Sequence, residues 1–298
     1  MTALETIGKY SKTFFRPQGK LIATIAGDYL WLTLFRAGKF ERTQKFLLRE
    51  AEPDILREQI TAFGGGGNFE TILVLSRSEI LQKPVRLEKS SESPVLMKQL
   101  ESWLESHFPF RADEMVYGFM PNNAASLVHE GALLMALPET RLMAILGLLN
   151  GLNIRPIEIV SEDQLLVWTA CERYPGKDVL CLDQNAERLL AVYVSGGTMK
   201  FSRSLVRSAD TFSMNEVFQE VSLNLIESGG RCEILLYAGL NDNELGSVRN
   251  YFNARIEQLL PGEIPADVPP LLCGIQYYGR YDRVSLLPRA SKLEKYRR

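Results

Sequence analysis

Residues able to do chemistry are few in this chain, and their spacing excludes most of what they could do. Histidine-ligated metal sites and Ser-His-Asp chemistry both need a histidine with a second ligand or a carboxylate at set spacing. The two histidines have neither: His107 follows the helical stretch Trp103-Leu-Glu-Ser, and His129 sits in Val128-His-Glu-Gly. Both are expected at the surface or at hinges. The four cysteines, Cys171, Cys181, Cys232 and Cys273, show no Cys-x-x-Cys spacing. Three lie in apolar surroundings, which predicts buried reduced thiols and a cytosolic setting. The run Gly64-Gly65-Gly66-Gly67 is not a phosphate loop, which needs Gly-Lys-Ser/Thr opening a helix. Here Asn68-Phe69-Glu70 and a strand follow, so the run reads as a connector. What remains is the turn Asp183-Gln184-Asn185-Ala186-Glu187, which places two carboxylates after the buried strand Val179-Leu-Cys-Leu. Aspartate is common there as a turn-opening residue.

The elements that must hold this turn occur twice. Lys20 to Ala26 turns at Gly27-Asp28 into Tyr29-Leu-Trp-Leu-Thr-Leu-Phe35, which returns from Phe40 to Leu48. Val179–Asp183, the strand from Arg188 and the strand ending at Leu205 form a second meander, turning at Ser195-Gly196-Gly197-Thr198. One meander in each half predicts two lobes facing a cleft. Helices are expected over 52–63, with Ile55, Leu56, Ile60 and Phe63 on one face, and over 93–106 and 139–150. Another is expected over 161–172, capped by Ser161, with two more over 214–228 and 242–260. Strands are expected near 71–76, 79–87, 115–120, 131–137, 154–160 and 233–239. Alternating strands and helices around two meanders indicate an α/β protein.

A hydrophobic content of 46% and a mean hydropathy of -0.07 fit a soluble globular protein with a sizeable core. No apolar run reaches the roughly 18 residues of a membrane span, and Met1-Thr-Ala-Leu-Glu-Thr-Ile-Gly-Lys lacks the layout of a signal peptide. The net charge of -2 hides an asymmetry: Arg280–Arg298 holds seven basic and two acidic residues, so the remainder is acidic. An acidic body argues against nucleic-acid binding, which needs a basic face on the domain itself. The basic end fits a segment beside an anionic membrane surface, or a solvated polar tail.

With these residues in place, the chain resembles the PilM/GspL family, actin-like cytoplasmic components of the inner-membrane platforms of type IV pilus and type II secretion machines. The resemblance covers roughly residues 20–287. Leu73-Val-Leu-Ser-Arg-Ser-Glu-Ile-Leu-Gln-Lys-Pro-Val-Arg-Leu87 is similar to the strand pair entering the family's inserted subdomain, and Gln99-Leu-Glu-Ser-Trp-Leu and Asp113-Glu-Met-Val-Tyr to its helix and next strand. Met135-Ala-Leu-Pro-Glu and Leu148-Leu-Asn-Gly-Leu-Asn-Ile-Arg-Pro156 are similar to a further family stretch, as is Phe201-Ser-Arg-Ser-Leu. Val284-Ser-Leu-Leu-Pro-Arg289 is similar to the peptide that opens PilN, the membrane partner of PilM, with Ser285 in place of asparagine.

The resemblance implies an actin-like (ribonuclease H-like) two-lobed α/β fold. Residues 1–175 would form the first lobe with an inserted subdomain at about 78–130, 176–281 the second lobe, and 282–298 a basic juxtamembrane or PilN-like tail. Actin-like proteins bind nucleotide at the turns of the two meanders, where glycine amides meet phosphates and an aspartate of each lobe holds magnesium and its waters. By this resemblance Gly27, Asp183 and Gly239 are the candidate nucleotide residues. The pattern is altered here: Thr24-Ile-Ala-Gly27-Asp28 leads to Trp31 where the family has lysine, Gln184-Asn185-Ala186 replace glycines, and Glu187 adds negative charge. The expectation is therefore no enzyme activity, and no resident cofactor, with ATP and magnesium bound weakly or not at all. The implied function is a scaffold at the cytoplasmic face of the bacterial inner membrane. It would link a PilN- or GspM-like membrane protein to the secretion or pilus motor ATPase. Leu286, Leu287 and Pro288 are the implied partner-binding residues, the tail would meet the membrane surface, and a homodimer is compatible with the family. The chain is expected to be the cytoplasmic part of a longer protein that continues into a transmembrane helix. The alternatives are an active actin-like ATPase or sugar-kinase-like enzyme, and a soluble regulator of the same fold.

Overall fold

In the computed structural model, the residues described are 19–26, 28–36, 39–49, 52–64, 69–85, 93–121, 132–185, 188–206, 214–259 and 270–277. Gly27, His129 and the tail with Leu286, Leu287 and Pro288 lie outside them. Two compact units divide the chain: one contains the described residues up to 76 together with 139–160, the other 77–138 and those from 161 onward. Among the described residues, no helix is long and apolar enough to cross a membrane.

The first unit is built on the N-terminal meander. Strands β1 (Gly19–Ala26), β2 (Tyr29–Arg36) and β3 (Lys39–Leu47) pair antiparallel, with Ile22 opposite Thr33 and Thr33 opposite Thr43. β4 (Phe69–Leu75) adds parallel to β1, and β8 (Glu158–Ser161) closes the order β3-β2-β1-β4-β8. Leu30, Leu32, Leu34, Ile72, Leu73 and Val74 are buried. A β-branched and leucine-rich run of this kind is what a sheet covered on both faces requires. Helix α1 (Pro53–Gly64) starts at its proline and buries Leu56, Ile60 and Phe63, spaced four and three apart. Ile55, expected on the same face, points outward and is 49% exposed, because it stands about 100° around the helix from Leu56.

The second unit repeats the arrangement. β9 (Val179–Gln184), β10 (Arg188–Ser195) and β11 (Thr198–Val206) form an antiparallel meander. β12 (Ile234–Ala238) adds parallel to β9, and β13 (Arg255–Gln258) parallel to β12, giving β11-β10-β9-β12-β13. The β10–β11 turn uses Gly196 and Gly197 at positive φ, 59° and 79°, as its residues predict. Phe218, Val221 and Leu225 of α5 (Met214–Glu227) and Val248 of α6 (Asp242–Tyr251) pack on Leu180, Leu182, Ala191 and Tyr193. The helix expected to reach residue 260 stops at Tyr251, and Ile256 instead pairs beside Leu235 on the sheet edge. A four-residue strand with one apolar side chain carries no period-2 signal, so pairing rather than pattern decides it.

The same unit carries an insert. β5 (Leu81–Val85), β6 (Met115–Pro121) and β7 (Ala132–Pro138) form the sheet β5-β7-β6, entered through a 3-10 turn at Arg77–Glu79 that replaces the expected start of a strand. Leu100 and Leu104 of α2 (Ser93–His107) pack on Met115, Leu134 and Ala136. Helix α3 (Glu139–Gly151) follows β7 in the chain and belongs to the first unit, where Arg57 donates to the Gly151 carbonyl at 3.1–3.2 Å.

Helix α4 (Glu162–Arg173) leaves β8 and lies among the second unit's elements. Every residue from Glu162 to Ala170 is buried, charged ones included. It is held closely by the C-terminal 3-10 turn Pro270–Tyr277, where a Cβ on Gly274 would stand 2.2 Å from the Leu165 carbonyl oxygen. Because both sides of that contact are backbone, Gly274→Ala is expected to destabilise the protein by about 3 kcal/mol. Chemical denaturation checks this, and an unchanged midpoint would contradict the packing described.

Candidate functional site

The site is assembled where the two parallel strands β9 and β12 end. Asp183 pairs with Ala238 across these strands, so Gly239 lies directly beside the Asp183-Gln184 peptide. Gly239 has φ 74°, and a Cβ there would fall 2.0 Å from the Gln184 carbonyl oxygen. Only glycine permits that approach. The structure thus brings together two of the three candidate nucleotide residues.

Asp183 is not the residue that opens the turn. It is the penultimate residue of β9 and 5% exposed. The turn is opened by Asn185, whose Oδ1 accepts the Arg188 N–H at 2.9 Å while its own N–H donates to the Arg188 carbonyl at 3.0 Å. These two amides are used within the hairpin and are not free for an oxyanion. The Gln184 amide group donates to Glu244 at 3.0 Å. Glu244 in turn caps α6, accepting from Asn241 N–H at 2.9 Å, while Asn241 accepts from Glu244 N–H at 3.0 Å. Side chains therefore occupy the strand ends next to Gly239.

Around Asp183 lies a charged network that the sequence did not single out. Ser161 is the N-cap of α4, in a reciprocal box with Gln164 at 2.9 and 3.3 Å. Its first turn therefore begins Glu162-Asp163. Glu162 accepts the Arg77 backbone N–H at 2.8 Å on one oxygen and the Arg188 guanidinium at 2.5 Å on the other. Asp163, fully buried, accepts the Ser202 hydroxyl at 2.6 Å on one oxygen and the Gln82 amide on the other. Arg77 Nε stands 3.9 Å from Asp163, close enough to attract but without a hydrogen bond. The Ser-x-x-Gln capping box was legible in the sequence; that its two acidic residues would be buried was not.

Burial pushes both carboxyls up, opposed for Glu162 chiefly by Arg188 and for Asp163 chiefly by Arg77. Asp183 is pushed up to about 7, first by burial and then by the negative charge of Glu162, against the pull of Arg188. Its Oδ1 has no hydrogen-bond partner among the described residues, and neither has Arg188 Nη1. Other candidate chemistry is weak. Burial raises the thiols of Cys171 to about 11 and Cys232 to about 12, far from a reactive thiolate. His107 stacks on Trp103 at 3.9 Å between ring centroids, at the exposed end of α2. Among the described residues, no three His, Cys, Asp or Glu side chains are placed to hold a metal.

An acid whose folded pKa is raised favours folding while protonated, and that stability is lost as pH climbs from its unfolded value towards its folded one. For Asp183 the window runs from about 4 to about 7. Asp183→Asn is therefore expected to raise the melting temperature at pH 8, by an effect on the order of 3 kcal/mol, and to change it little at pH 4. A lower melting temperature at pH 8 would count against an uncompensated buried charge.

No family model matches the chain, and no curated protein matches it in sequence. Solved structures do. The chain superimposes on a chain of the PilM-PilN type IV pilus biogenesis complex with a TM-score of 0.67 and 15% identity, over 89% of this chain and 100% of that one. It matches the cytoplasmic domain of EpsL, an inner membrane component of the type II secretion system of Vibrio cholerae, with a TM-score of 0.57 and 11% identity, covering 90% and 98%. A Bacteroides thetaiotaomicron protein with an actin-like ATPase fold and unknown function matches at 0.51 with 8% identity, covering 80% and 91%. Two sheets of the same strand order, an insert after β4 and these neighbours establish the fold: this chain is an α/β protein with the actin-like fold.

Proposed function

We propose that this protein is a non-catalytic scaffold of a type IV pilus or type II secretion assembly platform, working at the cytoplasmic face of the bacterial inner membrane. The observation that carries this reading is the extent of the likeness to the PilM-PilN chain, all of which is covered. EpsL, the second neighbour, is itself named as an inner-membrane component of a secretion system. The scaffold would bind an inner-membrane protein of the PilN or GspM kind on one side and the motor ATPase on the other. The basic segment Arg280–Arg298 would face anionic lipid, and Leu286, Leu287 and Pro288 would supply an extended docking peptide.

Turnover is not part of the proposal. A magnesium nucleotide needs free backbone donors at the phosphate turn, and those of Asn185 and Arg188 are donated within the hairpin. Gln184 and Glu244 add side-chain bulk at the strand ends. One observation favours the other reading, an actin-like ATPase: Asp183 keeps an open oxygen beside Gly239.

Deleting the gene in its own host tests the proposal. Loss of surface pili or of secreted proteins is expected, with full restoration by both the wild-type gene and Asp183→Asn. Intact pili and secretion in the deletion strain would refute the platform role. A soluble Asp183→Asn protein that fails to restore them would instead point to catalysis.

A further inference from the structure

Strand β3 is the outer strand of the first unit's sheet, and among the described residues nothing pairs with its far side. Its ladder fixes which backbone groups face that side. Residues directly opposite in an antiparallel pair alternate between exchanging both backbone bonds and exchanging none. The Leu48 N–H donates to the Asp28 carbonyl at 2.8 Å, so counting back along the register makes Phe46, Gln44 and Arg42 the bonded partners of Leu30, Leu32 and Leu34. Leu47, Lys45 and Thr43 stand in the unbonded pairs, where Thr43 meets Thr33 through hydroxyls 2.9 Å apart. Their N–H and C=O groups therefore point to the open side. Proline is absent from the strand, and the bulge at Glu41 lies before this stretch.

Beside the open edge, between β3 and α1, runs a groove of about 390 Å³ lined by Arg42, Thr43, Gln44, Gln59, Ala62 and Phe63. The exposed Ile55 lies on the same stripe of α1, four and seven residues before Gln59 and Ala62. The cations of this region fall into two sets. Arg36, Arg49 and Arg57 pair with Glu41, Asp28 and Asp54. Lys39, Arg42 and Lys45 have no carboxylate partner among the described residues. Arg42 lies 5.0 Å from the Phe63 ring centroid and donates to the Phe63 carbonyl, and Lys45 lies 3.6 Å from the Tyr29 ring centroid. We propose that this edge and groove dock an extended acidic segment of a partner protein, which adds to the sheet as a strand beside β3. Only a polypeptide backbone matches donors and acceptors that alternate at strand spacing. Cations along an edge repel basic strands and attract acidic ones. A carboxylate entering the groove meets the Arg42 guanidinium and the Gln44 and Gln59 amides, all of which can donate to it.

Fluorescence anisotropy on the full chain at pH 8 and low salt tests this with a Val-Glu-Val-Glu-Val-Glu-Val-Glu peptide, labelled at its N-terminus and amidated. Saturable binding with a Kd on the order of 100 μM is expected, at least about tenfold tighter than that of the matching Val-Lys peptide. Lys45→Ala removes a charge and keeps the backbone N–H. Lys45→Pro removes both and leaves the bonds to β2 in place, because that N–H faces the open side. The proline variant should bind at least about tenfold more weakly than the alanine variant. Equal binding by the two variants, equal binding of the two peptides, or no saturable binding up to about 1 mM overturns the proposal. So does a dimer of the chain, seen by sedimentation, that Lys45→Pro dissociates, because the occupant is then a second copy. Should Lys45→Pro fail to fold, Ala62→Trp at an exposed helix position reads the groove by itself. It fills the groove and must weaken peptide binding about tenfold; no change would overturn the proposal.

Discussion

Two buried, adjacent carboxylates tie together the elements of the second unit. An isolated buried carboxylate costs several kcal/mol, and Glu162 and Asp163 place two of them side by side. They are tolerable because each oxygen has a donor and because both sit in the first turn of α4, where the helix dipole and the capped amides favour negative charge. The consequence runs outward. Arg77 and Gln82 must come from the insert and Ser202 and Arg188 from the second meander, so one turn of helix fixes where three chain segments meet. A buried ion network is weak evidence for stability, and this one joins the second meander to an insert that already has its own core.

Much of the scaffold around that turn could be read from residues. The two meanders, the glycine turn at Gly196-Gly197 and the Ser161 cap all stand where local pattern put them, because turn chemistry and period-2 alternation act over a few residues. Asp183 and Gly239 were singled out, and the parallel pairing of β9 with β12 sets them side by side. The exceptions are tertiary. β13 exists because β12 offers it an edge, not because Arg255-Ile-Glu-Gln favours a strand. The network of Glu162, Asp163, Arg77 and Arg188 joins residues as much as 111 positions apart, and no local signal marks an acidic first turn as buried rather than solvated. The best available hint was α4 itself, whose Leu165-Leu166-Val167-Trp168 leaves no polar face for water.

The frame and the strand ends at Asp183 bear on the functional reading together. Two sheets of identical strand order make an actin-like frame. In the second meander the strand-end groups engage one another: Asn185 closes the hairpin and Gln184 reaches Glu244.

The central claim is that this actin-like frame works without nucleotide, and isothermal titration of the full chain with magnesium and ATP tests it most directly. No saturable heat is predicted up to about 1 mM nucleotide, with no phosphate released over the same period. Saturable binding near 1 μM or tighter, abolished by Asp183→Ala in a protein that remains folded, would contradict it.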